Sequence, residues 1–264
     1  MTVQTRTTEY PRTPEALPAD SFRAGKYVVR FARSEADLVA VLRIRYEVFN
    51  LELAEGLDES HATGLDRDRF DAVCHHLMIE TTRGKLVGTY RMQTAEMAAG
   101  EIGYYTAGEF DLATVPPEIE RLAIELGRAC ILERHRNSQA LFALWKGLVA
   151  YLQHNSKRYL FGCCSLTSQD PLEGIRTLER LSADGYLHPS VRVVPRAGFE
   201  CVPGPADAGR RVAVKIPKLF GTYLRIGAKV CGAPAIDREF KTIDFLVLLD
   251  ILELDARTHR LLFA

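Results

Sequence analysis

Hydrophobic and polar positions divide the chain into alternating helices and strands. After Ser34, the residues Leu38, Val41, Leu42, Arg45, Val48 and Phe49 recur at helical spacing to about residue 53, and Ser34 with Asp37 three places on resembles a capping box. The runs 75–81 and 86–92 read as strands around the turn residues Arg83, Gly84 and Lys85, which predicts a hairpin. An acidic, glycine-containing segment, 55–71, separates the two. Residues 121–132, dense in Ile and Leu, read as a core strand; a helix follows over 139–154 and a buried strand over 159–164. Strand, loop, helix and strand in that order predict a parallel crossover and an α/β fold. Farther on, 172–183 and 218–230 read as helices, 245–252 as a last strand and 256–263 as a short closing helix. No repeat or low-complexity tract interrupts this order.

Composition narrows the function. With 264 residues, 47% of them hydrophobic, the chain can bury a sizeable core, which predicts one domain over 27–264 behind a mobile tail over 1–26. Lys plus Arg (34) equal Asp plus Glu (34), so no overall basic field draws the protein to nucleic acid. No apolar run reaches the roughly 18–20 residues that cross a bilayer, and no apolar leader follows the start, so the expected location is cytoplasmic. The six cysteines show neither Cys-x-x-Cys nor a zinc-finger spacing; they are expected to be reduced core residues, with no metal site.

The chemistry rests on four charged groups. These are Arg45-x-x-x-Phe49, Asp66-x-Asp68-x-Phe70-Asp71, Arg91 at the end of the hairpin, and Glu125-Leu-Gly-Arg128 within the core strand. A charge in the middle of a core strand is costly to bury unless paired, so Glu125 and Arg128 are an ion pair or a site. Residues three apart on a regular strand face opposite sides. A bulge at Gly127 would bring both onto one side and leave backbone N–H groups free to polarise a carbonyl.

In these residues the chain resembles the ornithine-lipid N-acyltransferases and their hemolysin-named relatives, a branch of the GNAT superfamily, and more distantly the acyl-homoserine-lactone synthases. Arg45-Tyr-Glu-Val-Phe49, the Asp66 to Asp71 motif with His76 after it, Val87-Gly-Thr-Tyr-Arg91 and Glu125-Leu-Gly-Arg128 occur in the family's order. The stretch from Tyr223 to Asp237, with Phe240, Asp244 and Phe245, ties the chain to the ornithine-lipid branch. The resemblance implies a splayed mixed sheet flanked by helices, with a family-specific helical and strand extension over 165–264. It also implies transfer of a (3-hydroxy)fatty acyl group from acyl carrier protein to the α-amine of ornithine. Glu125 and Arg128 would be catalytic, Glu125 taking the amine proton. Arg45, Phe49, Asp68, Asp71 and Arg91 would bind and position the amino acid.

The start of the 139–154 helix is the expected donor site. GNAT relatives that use acetyl-CoA place a glycine-rich turn there, whereas this chain has Arg134, His135, Arg136, Asn137, Ser138 and Gln139. The single phosphodiester of acyl-phosphopantetheine asks less of the loop, which favours a carrier-protein donor held by Arg134, Arg136, Asn137 and Ser138, with no further cofactor. Cys163 and Cys164 with His75 and His76 could form a thiol and base pair, but adjacent cysteines in an apolar strand read as core. The segment 218–229 reads as core packing, with peripheral contact to the inner membrane or an acyl-tunnel guard as the alternatives. Two other functions stay open: acylation of another amino acid or of a lactone precursor, and membrane lysis without catalysis.

Overall fold

The computed structural model describes residues 10–207 and 209–263. Two short strands, β1 (Phe22–Ala24) and β2 (Tyr27–Phe31), lead to Ser34, whose side chain accepts the Asp37 amide hydrogen and starts α1 (Glu35–Tyr46). This helix buries Leu38, Val41, Leu42 and Ile44, then continues in a π-helical turn, Glu47–Glu52, that buries Val48 and Phe49. After α2 (Ser60–Thr63) the predicted hairpin forms as β3 (His75–Thr81) and β4 (Leu86–Thr94). Next in the chain are α3 (Ala95–Gly100), β5 (Phe110–Asp111), α4 (Pro117–Arg121), β6 (Ala123–Ile131), α5 (Ser138–His154), β7 (Tyr159–Leu166) and α6 (Pro171–Ala183). The last third holds β8 (Val194–Pro195), α7 (Lys218–Arg225), β9 (Lys229–Val230), β10 (Ala235–Asp237), β11 (Thr242–Asp250) and α8 (Ala256–Phe263).

The main sheet runs β1-β2-β3-β4-β6-β7-β11-β10, with β9 also paired to β11. Its neighbours are antiparallel except β6 and β7, which run parallel on either side of α5, the expected crossover. The fold is mixed α/β, as read from the sequence. Asn137 caps α5 by accepting the amide hydrogens of Gln139 and Ala140. The helix then buries Ala140, Ala143, Leu144, Leu148 and Tyr151 in the main core with Leu77, Met92 and Phe245. A Cβ on Gly147 would sit 2.5 Å from the Leu77 side chain, so glycine there lets α5 lie close on the sheet. Each large apolar side chain buried this way contributes about 1.5–3 kcal/mol.

Three expectations change. Of the segment read as a tail, residues 1–9 lie outside the described residues. From Tyr10 onward the chain is packed: Tyr10 and Leu17 are buried and β1 pairs with β2, because their apolar side chains cover the sheet edge and α1. The helix read over 218–230 stops at Arg225, where Gly227 takes a left-handed φ of 110° and releases β9. The last strand begins at Thr242 rather than residue 245 and ends at Asp250.

Candidate active site

The charged motifs converge beneath α1. Arg45 donates to Asp66 at 2.7 Å and to Asp71 at 2.5 Å, and its side chain is fully buried. Arg91, from β4, donates to both oxygens of Asp68 at 2.7 Å and to Asp71 at 3.1 Å. Arg128 completes the network at 3.2 Å from Asp68 and lies 4.0 Å from the centre of the Phe240 ring. Phe49 packs edge-on against that same ring. Three guanidiniums meet three carboxylates, so charge is balanced inside the network. Burial opposes ionisation of Asp68, but Arg91, Arg128 and Arg45 hold its carboxyl well below the usual range. Asp71 is likewise raised by burial and more than compensated by Arg45 and Arg91. His76 sits on the Asp71 carbonyl, and burial lowers it to about 4, so it is neutral.

The bulge lies one residue beyond the expected position. Thr89 pairs with Cys130 and Arg91 with Gly127, so two residues of β6, Arg128 and Ala129, stand opposite Tyr90. Arg128, not Gly127, carries the unusual backbone, with φ of 52°. Its guanidinium is held by the network and by the Tyr105 ring, 4.9 Å away, so tertiary contacts impose a conformation that glycine would adopt more readily. The effect is the one expected: Glu125 and Arg128 both meet Tyr105 on one face of the sheet. Glu125 accepts from the Tyr105 amide at 3.0 Å and from the Thr106 amide and hydroxyl at 2.8 and 2.7 Å. A carboxylate offers about four lone-pair positions, so one remains for a further donor. Burial raises its pKa, although these hydrogen bonds oppose the shift, which makes it a better base.

Beside Glu125 the sheet splits. Pairing of β6 with β7 ends at Glu125 and Phe161, so residues 126–129 have no strand partner on that side. At Gly162 a Cβ would lie 2.1 Å from the Leu126 carbonyl oxygen, and only glycine allows the two strands to come together before they part. A narrow cleft opens there on the α5 face, lined by Tyr90, Leu126, Trp145, Leu160, Cys164 and Tyr223 among others. Tyr223 reaches it from α7 and bonds Tyr90, while Phe220 and Leu224 are core, so α7 packs inward and walls the cleft.

The donor turn is only partly open. Arg136 pairs with Glu52 and donates to the Ile131 carbonyl, and Asn137 spends its side-chain oxygen on capping α5. Arg134 and Ser138 are exposed, and the nearby Lys26 and Lys85 join Arg134 in a positive field around His135. The thiol and base pairing does not form: β4 and β6 separate Cys163 and Cys164 from His75 and His76, and burial pushes both thiols up.

Sequence reasoning missed a second group. Glu109, Asp237 and Asp244 surround Tyr105, whose hydroxyl donates to Asp237 at 2.9 Å. Ligand atoms of Glu109, Asp244 and Cys163 lie within 4.8 Å of one another, a set able to hold a cation. Asp244 interrupts the apolar strand β11 just as Glu125 interrupts β6, and that pattern was the available signal. Tyr105, Thr106 and Glu109 sit in an irregular loop and gave none.

Comparison with known proteins agrees with this geometry. Residues 44–146 match the acetyltransferase (GNAT) domain. The chain is 30% identical over 250 residues to the L-ornithine N(alpha)-acyltransferase of Brucella abortus (strain 2308), covering 89% of this chain and 88% of that one. It is 33% identical over 238 residues to the protein of the same name from Rhodobacter capsulatus, covering 85% and 90%. In fold it is similar to FeeM, an N-acyl amino acid synthase from uncultured soil microbes, with a TM-score of 0.50, 13% identity and coverage of 86% and 93%.

Proposed function

Because the chain belongs to the L-ornithine N(alpha)-acyltransferase family of GNAT enzymes, we propose that it moves a (3-hydroxy)fatty acyl group from acyl carrier protein to the α-amine of ornithine. The observation that carries this reading is the position of Glu125: a buried carboxylate with one free acceptor site, beside the split between β6 and β7. The apolar cleft on the α5 face would take the acyl-phosphopantetheine arm, and the amine would approach from the Tyr105 face.

An α-amino group is mostly protonated at neutral pH, its usual pKa being about 7.7–8.0, so a nearby base is needed to free its lone pair. Glu125 accepts that proton. The nitrogen attacks the thioester carbonyl, the C–N bond forms, the unpaired backbone edge of β6 stabilises the oxyanion, and the C–S bond breaks to release the thiol after protonation. Arg128, held between Asp68 and the rings of Tyr105 and Phe240, supplies positive charge at the same face. Arg45, Asp68, Asp71 and Arg91 position this apparatus through mutual ion pairs. A carrier-protein donor is favoured by the self-capped start of α5, which leaves fewer amides for a pyrophosphate, and by the basic surface of Lys26, Lys85 and Arg134. Membership of the family supports a product that enters lipid synthesis. Among the described residues no helix is long and apolar enough to cross a membrane, so any helical membrane contact would be peripheral.

The test is to incubate the purified protein with ornithine and either 3-hydroxyacyl carrier protein or the matching acyl-CoA, and to fragment the product by mass spectrometry. The reading expects an amide on the α-nitrogen, formed faster from the carrier-protein thioester. No amide from either donor would overturn it.

A further inference from the structure

Glu109, Asp237 and Asp244 form a group of buried acids to which, among the described residues, no lysine or arginine is ion-paired. Glu109 and Asp244 are each 3% exposed and their carboxyl groups lie against one another, with no protein donor to Glu109 Oε1 or Asp244 Oδ1 among the described residues. Asp237 differs, since one oxygen accepts the Tyr105 hydroxyl and the other caps the turn at Glu239 and Phe240. Burial raises the pKa of Glu109 most, and the principal charges acting on it are the carboxylates of Asp244 and Asp237. Asp244 is pushed up to about 6, first by burial and then by its acidic neighbour Asp237. Buried acids arranged this way are relieved by protons or by a cation, and an oxygen of Glu109 and one of Asp244 meet within 4.8 Å at a point whose charge Asp237 also shapes.

That point is one tyrosine away from Glu125. The Tyr105 amide donates to Glu125 while its hydroxyl donates to Asp237, and Glu109 follows three residues after Thr106, which also holds Glu125. We infer that Glu109, Asp237 and Asp244 form the subsite for the side-chain ammonium of the acceptor, so the enzyme selects amino acids that carry a second amine. This inference rests on the proposed acyl transfer to ornithine and adds the residues that make the choice. A divalent cation is the competing occupant, since Cys163 could join Glu109 and Asp244 as a ligand, but burial keeps that thiol protonated and leaves few ionised donors.

The experiment compares L-ornithine with L-norvaline, which has the same carbon chain without the terminal amine, as acceptors for the wild-type protein and for Asp244→Asn and Glu109→Gln. For wild type, kcat/KM is expected to favour ornithine by about 100-fold or more, as for a site built to hold a polar group the analogue lacks. In Asp244→Asn the ornithine value falls at least about tenfold while the norvaline value holds or rises. Equal use of the two acceptors by wild type overturns this inference and leaves the acyl-transfer reading standing. Parallel loss of both acceptors in the variants also overturns it, since that marks a structural role. Acylation of neither acceptor by wild type overturns both readings. Thermal stabilisation by Mg²⁺ or Zn²⁺ that Asp244→Asn abolishes, with no effect of ornithine, assigns the group to a metal and overturns the inference.

Discussion

Two groups of buried charge flank Glu125, and they differ in how their charge is met. Under α1, Arg45, Arg91 and Arg128 match Asp66, Asp68 and Asp71, with no exposed atom on the Arg45 side chain. Around Tyr105, Glu109 and Asp244 face each other, and among the described residues neither is ion-paired to a lysine or arginine. The balanced group holds helix, loop and sheet together, and the unbalanced one is where a ligand can contribute charge. Arg45, the most recognisable of the motif arginines, has its whole side chain enclosed within that balanced group.

The comparison predicts opposite responses to removing a charge. Arg45→Met removes the buried ion pairs to Asp66 and Asp71, leaving Asp71 to Arg91 and Asp66 to the more distant Arg128, and denaturant unfolding at pH 7 should show a loss of about 3–5 kcal/mol. Asp244→Asn should do the reverse. The folded pKa of Asp244 is raised to about 6, so its ionisation is penalised in the folded state. The penalty is absent below the ordinary aspartate range, grows as pH rises toward about 6, and is fully present above that. The variant should thus gain on the order of 1–3 kcal/mol over wild type at pH 7.5, and the gain should vanish near pH 4. Asp68 and Asp71 have lowered values, so what they contribute is present above the ordinary aspartate pKa and is lost as pH falls below it. Asp68→Asn should therefore cost most at neutral pH and little in strong acid. A uniform response of both groups to pH would remove the distinction between them. Smallest of all, Arg136→Ala removes an ion pair with Glu52 in which both side chains are partly exposed. Urea unfolding should register less than about 1 kcal/mol for it.

How much of this could be read in the sequence follows the same division. The hairpin, the crossover around α5 and the bulge in β6 were legible because apolar periodicity and a charge in a core strand are local signals. The bulge was misplaced by one residue. The sequence offers Gly127 as the easy position, whereas the network and the Tyr105 ring hold Arg128 in the left-handed region instead. The pairing of β1 with β2 is a local hairpin turning at Gly25 and Lys26, masked inside a stretch rich in Thr, Pro, Arg and Glu, whereas the packing of Tyr10 depends on distant partners and left no local pattern. Glu125 was found because it breaks an apolar run. Asp244 breaks β11 in the same manner, and its meaning emerged only when the fold brought Glu109 and Tyr105 beside it.

The central claim is that Glu125 takes the proton from the attacking amine, and the rate of amide formation by Glu125→Gln tests it most directly. Glutamine keeps an acceptor for the Thr106 contacts but cannot serve as a base. With 3-hydroxyacyl carrier protein and ornithine saturating, kcat should fall about 10²–10⁴-fold while the melting temperature stays within a few degrees of wild type. A folded Glu125→Gln protein that forms the amide at the wild-type rate would contradict the account.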